Sequence, residues 1–168
     1  MSCIAFLAAF GAAVSGCVDD RPAPAAPEGP PAFYRKLDSA QGKVDPVAAR
    51  DIISIYRRNN GFATVAVDPR LQDEAQAQAV AMARANVASP GLRGSLKSRL
   101  ATTHYAHAAA VENVSAGYHT LAEAFSGWRQ SPPHNANMLN PGIRRIGIAT
   151  AYAPGSKYKV FWALVMTD

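Results

Sequence analysis

The chain has 168 residues, enough for one domain with a real core and not comfortably for two. Of these, 49% are apolar and 17% charged, the profile of a soluble globular protein. The two cysteines, Cys3 and Cys17, both precede the globular part, which excludes a disulfide or a cysteine-based metal site within the domain. The net charge is +5, and all of the excess lies in residues 45–168, with 13 basic and 8 acidic residues against four of each through Val44. Such a balance suits an anionic surface, whether lipid headgroups, acidic glycan, wall polymer or nucleic acid, and an excess this mild also serves solubility alone.

In chain order, Ile4 to Val14 is an apolar run too short to span a bilayer and of the length of a signal-peptide core. It leads into Val14-Ser15-Gly16-Cys17, which resembles a bacterial lipobox, in which the cysteine becomes the lipidated first residue. No Lys or Arg stands before Ile4, a departure from the positive n-region, so an ordinary cleaved signal with an incidental cysteine is the alternative. Residues 1–17 are thus read as a signal peptide with lipobox. Residues 18–44, with "RPAPAAPEGPP", are read as a stiff Pro/Ala-rich tether.

The domain proper is expected over 45–168. Asp45-Pro46 and Asp68-Pro69 each pair an N-cap with proline at the first helical position. The first opens a helix that stops near Gly61, with Val47, Ile52, Ile55 and Tyr56 on one face and Arg57 and Arg58 near its negative end. The second opens the longest helix, with Leu71, Ala75, Ala79 and Met82 in one stripe. Thr120 and Glu123 form a capping box before Leu121, Phe125 and Trp128. "RRIGIATAY" and "KYKVFWALVM" read as an antiparallel hairpin across Ala153 to Ser156. In its second strand Tyr158, Val160, Trp162, Leu164 and Met166 alternate with Phe161, Ala163 and Val165. A strand apolar on both faces must be covered on both, which predicts an α+β fold, a three-layer α-β-α sandwich around a central antiparallel sheet.

"ENVSAG", a capped helix bearing "AFSGW", then "SPPHNANML", "RRIGIATAY" and a terminal "VFWALV" resemble the bacterial branch of the CAP superfamily. That superfamily groups cysteine-rich secretory proteins, antigen 5 and pathogenesis-related 1 proteins as SCP-like extracellular domains. The resemblance runs from about Asp45 to Met166 and implies the same sandwich. It also implies a shallow cleft which, in fuller members, holds two histidines and two acidic residues and can take a divalent metal such as zinc. Of these, Glu112 and His134 match. Ser89 is followed by Pro90 where the first family histidine is expected, and the second acidic position falls near Ser131. No cofactor is required on this reading. A weak zinc site at Glu112 and His134 is the most the resemblance leaves, since zinc takes three or four ligands. His104 and His107 share a helical spacing but lack a third ligand in view, and His119 follows Gly117-Tyr118.

Three functions compete. One is a monomeric binding module, held at a membrane through Cys17 on the periplasmic side or secreted, contacting a lipid, wall-associated or protein ligand. Another is a peptidase-like hydrolase in which Glu112 orients His134 as a general base. That reading lacks a nucleophile elbow, although Ser115 and Ser131 lie nearby in sequence. The third is a structural envelope protein with a vestigial cleft, in which Glu112, His134, Asn113 and Asn135 tie the sheet to the loop after Trp128. Nucleic acid is not expected as a partner, because no groove-reading motif is visible. Trp128 and Trp162 read as core, and Arg144-Arg145 as a solvated strand start.

Overall fold

The computed structural model describes residues 29–101, 103, 105 and 108–168. The signal segment, Cys17, the first part of the tether, His104 and His107 lie outside the described residues. Both Asp-Pro signals act as caps. Asp45 Oδ1 accepts from the N–H groups of Val47 and Ala48 at 2.9 and 3.2 Å and opens α1, Pro46–Asn59. Asp68 Oδ1 does the same for Arg70 and Leu71 at 2.9 and 3.0 Å and opens α2, Pro69–Ala85. Asn86, at φ 53°, ends α2 in the left-handed conformation that asparagine tolerates. A short α3, Leu96–Leu100, follows. The capping box opens α4, Leu121–Gln130: Thr120 Oγ1 accepts from the Glu123 N–H, and Glu123 Oε2 reaches back to the His119 N–H at 2.6 Å. Ser131 then separates α4 from α5, Pro132–Met138.

The strands are β1 (Ala66–Val67), β2 (Ala110–Ala116), β3 (Arg145–Tyr152) and β4 (Val160–Thr167), in the order β1-β3-β4-β2. All pairings are antiparallel except that of the two-residue β1, which runs parallel to the start of β3. The central β4 is buried along its whole length. Val160, Trp162, Leu164 and Met166 face a core built from α1, α4 and α5, while Phe161, Ala163 and Val165 face α2. The expected three-layer sandwich is therefore what forms. Trp128 and Trp162 meet edge to face at 6.0 Å in the first layer, and both are fully buried. In the second layer all four stripe residues of α2 are buried, and α2 rides so close to β3 that a Cβ on Gly147 would collide with the Leu71 backbone.

Three expectations need correction. Val47 and Ile55 are 51% and 45% exposed; α1 instead turns Ala49, Ile53 and Arg57 inward. The inward face was missed because it carries an arginine, which apolar periodicity passes over. Tyr158 lies outside β4 and is exposed, since the chain turns through Lys159 at φ 59° before the strand begins. Finally, the tether read through Val44 is in part a piece of the domain. Leu37 and Val44 are buried, Phe33 packs on the α4 side, and the Leu37 N–H donates to the His119 carbonyl at 2.9 Å. Apolar residues spaced four to seven apart found a groove on the domain, although proline-rich sequence preceded them.

Candidate functional site

Strand alternation decides what the Glu-Asn pair can do. On β2, Val111 packs with the α1/α4/α5 core, whereas Ala110 and Val114 pack with the α2 core. Glu112 shares the parity of Ala110 and Val114, and Asn113 that of Val111. The two motif side chains therefore leave the sheet on opposite faces. Glu112 projects toward α2 and α3, and Asn113 toward α5, which carries His134.

On its own face Glu112 meets Arg99 of α3. Arg99 donates to Glu112 Oε1 at 2.7 Å and to Gln78 Oε1 at 2.6 Å, and lies 3.4 Å from Glu74 Oε1. The Arg99 and Glu112 side chains are only 3% and 9% exposed, so the pair is shielded from solvent. Gln78 passes the network on through its amide, which donates to the carbonyl of Ser89 at 2.9 Å. Arg93 closes it at the rim with a 2.6 Å contact to Glu74. Arg99 Nε and Glu112 Oε2 are buried without a hydrogen-bond partner among the described residues. The charge of Glu112 is thus balanced internally, by a guanidinium held in place by a helix amide.

On the opposite face the strand is stitched to α5 by amides. Asn113, fully buried, donates to the His134 carbonyl at 3.0 Å. Asn137 donates to the Glu112 carbonyl at 3.0 Å and to Asn113 Oδ1 at 2.9 Å. Asn135 accepts from the Tyr56 hydroxyl at 2.8 Å. His134 therefore takes part through its backbone, and its ring makes no hydrogen bond among the described residues. Burial holds the imidazole pKa below the ordinary histidine value, which favours the neutral form. Ser115 is committed as acceptor of the Trp128 indole N–H at 3.2 Å, and His119 pairs with Asp38 at 3.1 Å. Arg144 and Arg145 are exposed.

The structure does not bring Glu112 and His134 together. A cation at the Glu112 carboxylate would have to displace Arg99, and no group of three or more His, Cys, Asp or Glu among the described residues is arranged to hold a metal. These residues do not fit zinc. Asn113 was legible from the sequence as a residue that satisfies backbone groups, whereas Asn135, expected in the same role, accepts from the Tyr56 side chain instead. Asn137 had a faint signal in the repeated asparagines of "HNANM". Arg99 and Gln78 had none, for nothing local marks which of 17 basic residues is buried.

The fold and this arrangement can be set against known proteins. An extracellular protein containing an SCP domain from Bacillus anthracis matches with TM-score 0.60 at 23% identity, over 72% of this chain and 39% of that one. An outer surface protein of Borrelia burgdorferi matches with TM-score 0.63 at 17% identity, over 75% of this chain and 96% of that one. A cysteine-rich secretory protein of Staphylococcus aureus matches with TM-score 0.53 at 16% identity, over 72% and 37%. The chain thus spans about two fifths of the Bacillus and Staphylococcus proteins, and at these identities the likeness is one of fold. No curated protein matches in sequence. The sequence model of the cysteine-rich secretory protein family matches residues 50–166, so this chain belongs to that family, the CAP family.

Proposed function

We propose that this CAP domain is a non-enzymatic binding module of the cell envelope, secreted or held at a membrane through Cys17, whose ligand is a lipid, a wall polymer or a protein. The observation that carries the reading is the buried Arg99–Glu112 pair at 2.7 Å. A general base needs a free carboxylate or a carboxylate-oriented imidazole within reach of the substrate. Here the carboxylate is neutralised by Arg99, and His134 lies across the sheet from it. The polar residues of the Glu-Asn motif then serve as fasteners: Glu112 holds α3, and Asn113 holds α5. The excess of positive charge in 45–168 supports an anionic ligand surface, and the extracellular and surface proteins of like fold support a place outside the cytoplasm.

The test pairs sedimentation of the full chain with isolated wall polymer and with phosphatidylglycerol vesicles against a peptidase assay on an unfolded protein substrate. Retention on one of the two surfaces that weakens as salt rises, with no cleavage, is the expected result. Cleavage that disappears in both Glu112→Gln and His134→Ala would overturn the reading.

A further inference from the structure

The outer edge of β3 is closed only in part. Its first residues pair with β1: Ala66 and Asp68 donate to the carbonyls of Arg144 and Ile146 at 2.9 Å each. Beyond β1 no further strand lies on this edge among the described residues, and α2 supplies side chains in its place. The Gln72 amide donates to the Ile148 carbonyl at 2.5 Å and accepts from the Ile148 N–H at 3.1 Å, satisfying both groups as a neighbouring strand would. One helical turn later Gln76 only grazes the edge, with a single 3.5 Å contact to the Thr150 carbonyl. The next turn brings Val80, which has no amide to offer. The closure therefore fades along β3 and ends before Tyr152.

The backbone groups at this end face outward. Tyr152 stands opposite Val160. The Val160 carbonyl turns the other way, to the Gly117 N–H at 3.0 Å, and the next ladder bond runs from Ala153 to Lys159 at 2.8 Å. Tyr152 is thus a non-hydrogen-bonded pair of the β3–β4 ladder, like Thr150 and Ile148, and its N–H and C=O point to the open edge. Among the described residues nothing pairs with either backbone group of Tyr152, whereas Thr150 is only 6% exposed and its Oγ1 accepts from the Val44 N–H at 3.2 Å, so the segment before α1 already covers that position. Two open cavities of about 480 and 450 Å³ flank this point and share Val80, Ala151, Tyr152 and Pro154. Arg84 lines the first and Lys43 the second, and neither is lined by an acidic residue.

We propose that the Tyr152 end of the β3 edge is an acceptor site for an extended acidic peptide segment, which adds to the sheet beside Tyr152 between Lys43 and Arg84. Unpaired N–H and C=O groups on one edge call for a partner with the same alternation, which a peptide backbone has and a lipid tail lacks. The two cavities take alternate side chains, and the two cations select carboxylates over amines. This edge is remote in the fold from Glu112 and His134, so the proposal goes beyond the envelope reading and stands whichever surface that reading needs.

The probe is the peptide acetyl-EVTVE-amide, added to the full chain while backbone amide exchange is followed by NMR. In the free protein the Tyr152 N–H should exchange fast beside the protected Ala149, Ala151 and Ala153. Saturating peptide should slow it by about tenfold or more. The variant Val80→Gln, which adds the missing amide to the Gln72–Gln76 row, should weaken peptide binding by at least about tenfold while leaving exchange elsewhere unchanged. Lys43→Glu with Arg84→Glu should reverse the preference toward acetyl-KVTVK-amide. The proposal falls if millimolar peptide leaves Tyr152 unprotected, or if Val80→Gln binds as well as the parent. It also falls if protection tracks the concentration of the chain alone, which would make a second copy the occupant, or arises only with vesicles. Sedimentation with wall polymer or vesicles is unaffected by Val80→Gln on this proposal, so the two readings fail separately.

Discussion

Two arginines are buried in this domain, one in each layer, and they are held in opposite ways. Arg57, in the α1/α4/α5 layer, donates only to carbonyls: Ala63 at 2.7 Å, Met138 at 2.7 Å, Asn140 at 2.9 Å and Ile143 at 3.0 Å. Arg99, in the α2 layer, is held by the carboxylates of Glu112 and Glu74 and by the Gln78 amide. The first is a charge used as a multi-armed donor, fastening the loop between α5 and β3, with no counter-ion among the described residues. Burial, and after it the nearby Arg144, lower its pKa, as expected where no negative group is near. The second is a charge used to cancel a charge. The difference teaches that the motif glutamate needs an electrostatic explanation, while the loop after the motif histidine needs only hydrogen bonds.

The contrast can be broken at its stronger end first. Arg57→Leu keeps the bulk but leaves four carbonyls without their donor, and should destabilise the chain by about 4 kcal/mol in urea unfolding. A loss below about 1 kcal/mol would mean that water replaces the guanidinium. Next, a double-mutant cycle of Arg99→Ala and Glu112→Ala should return a coupling of about 2 kcal/mol, each single variant costing more than its share of the double. Independent effects would remove the reason for calling the pair an internal neutralisation.

Smaller effects sharpen the picture. Gln72→Ala should lose about 1–2 kcal/mol and release the Ile148 N–H to rapid exchange, because two edge bonds go at once. The smallest expected effect is that of pH on His134. Its folded pKa lies below the unfolded value of about 6.5, so the unfolded chain binds more protons as pH falls through that region. Stability from this group is then complete above about pH 6.5 and declines on acidification toward the folded pKa. His134→Asn should flatten that part of the stability profile, and an unchanged profile would show that burial of the ring is not felt.

Part of this was legible before any coordinates. Asp45 and Asp68 cap because an Asp-Pro pair is self-sufficient: the cap, the prolyl φ and the first turn lie within four residues. The stripe on α2 and the double-faced β4 follow from period alone, and a strand apolar on both sides implies a layer on each. The Glu-Asn motif was equally visible, but its meaning was not. Alternation along β2 sends Glu112 and Asn113 to opposite layers, and only the packing of those layers shows that Arg99 waits on one side and the α5 backbone on the other.

The sequence by itself determined the starts of α1, α2 and α4, the terminal hairpin, the layer count and the family, because each rests on contacts a few residues apart or on repeating polarity. In contrast, α3 and α5 were not read from it, and the stretch after Trp128 was expected as a loop. Tertiary structure alone decided which charges are buried, which backbone edge stays open, and that Leu37 and Val44 belong to the domain. Those outcomes depend on partners up to 106 positions apart, as in the bond from the Val44 N–H to Thr150 Oγ1. No local pattern encodes such a distance; it is set when α2 and α5 close on the sheet and exclude water from the groups between them.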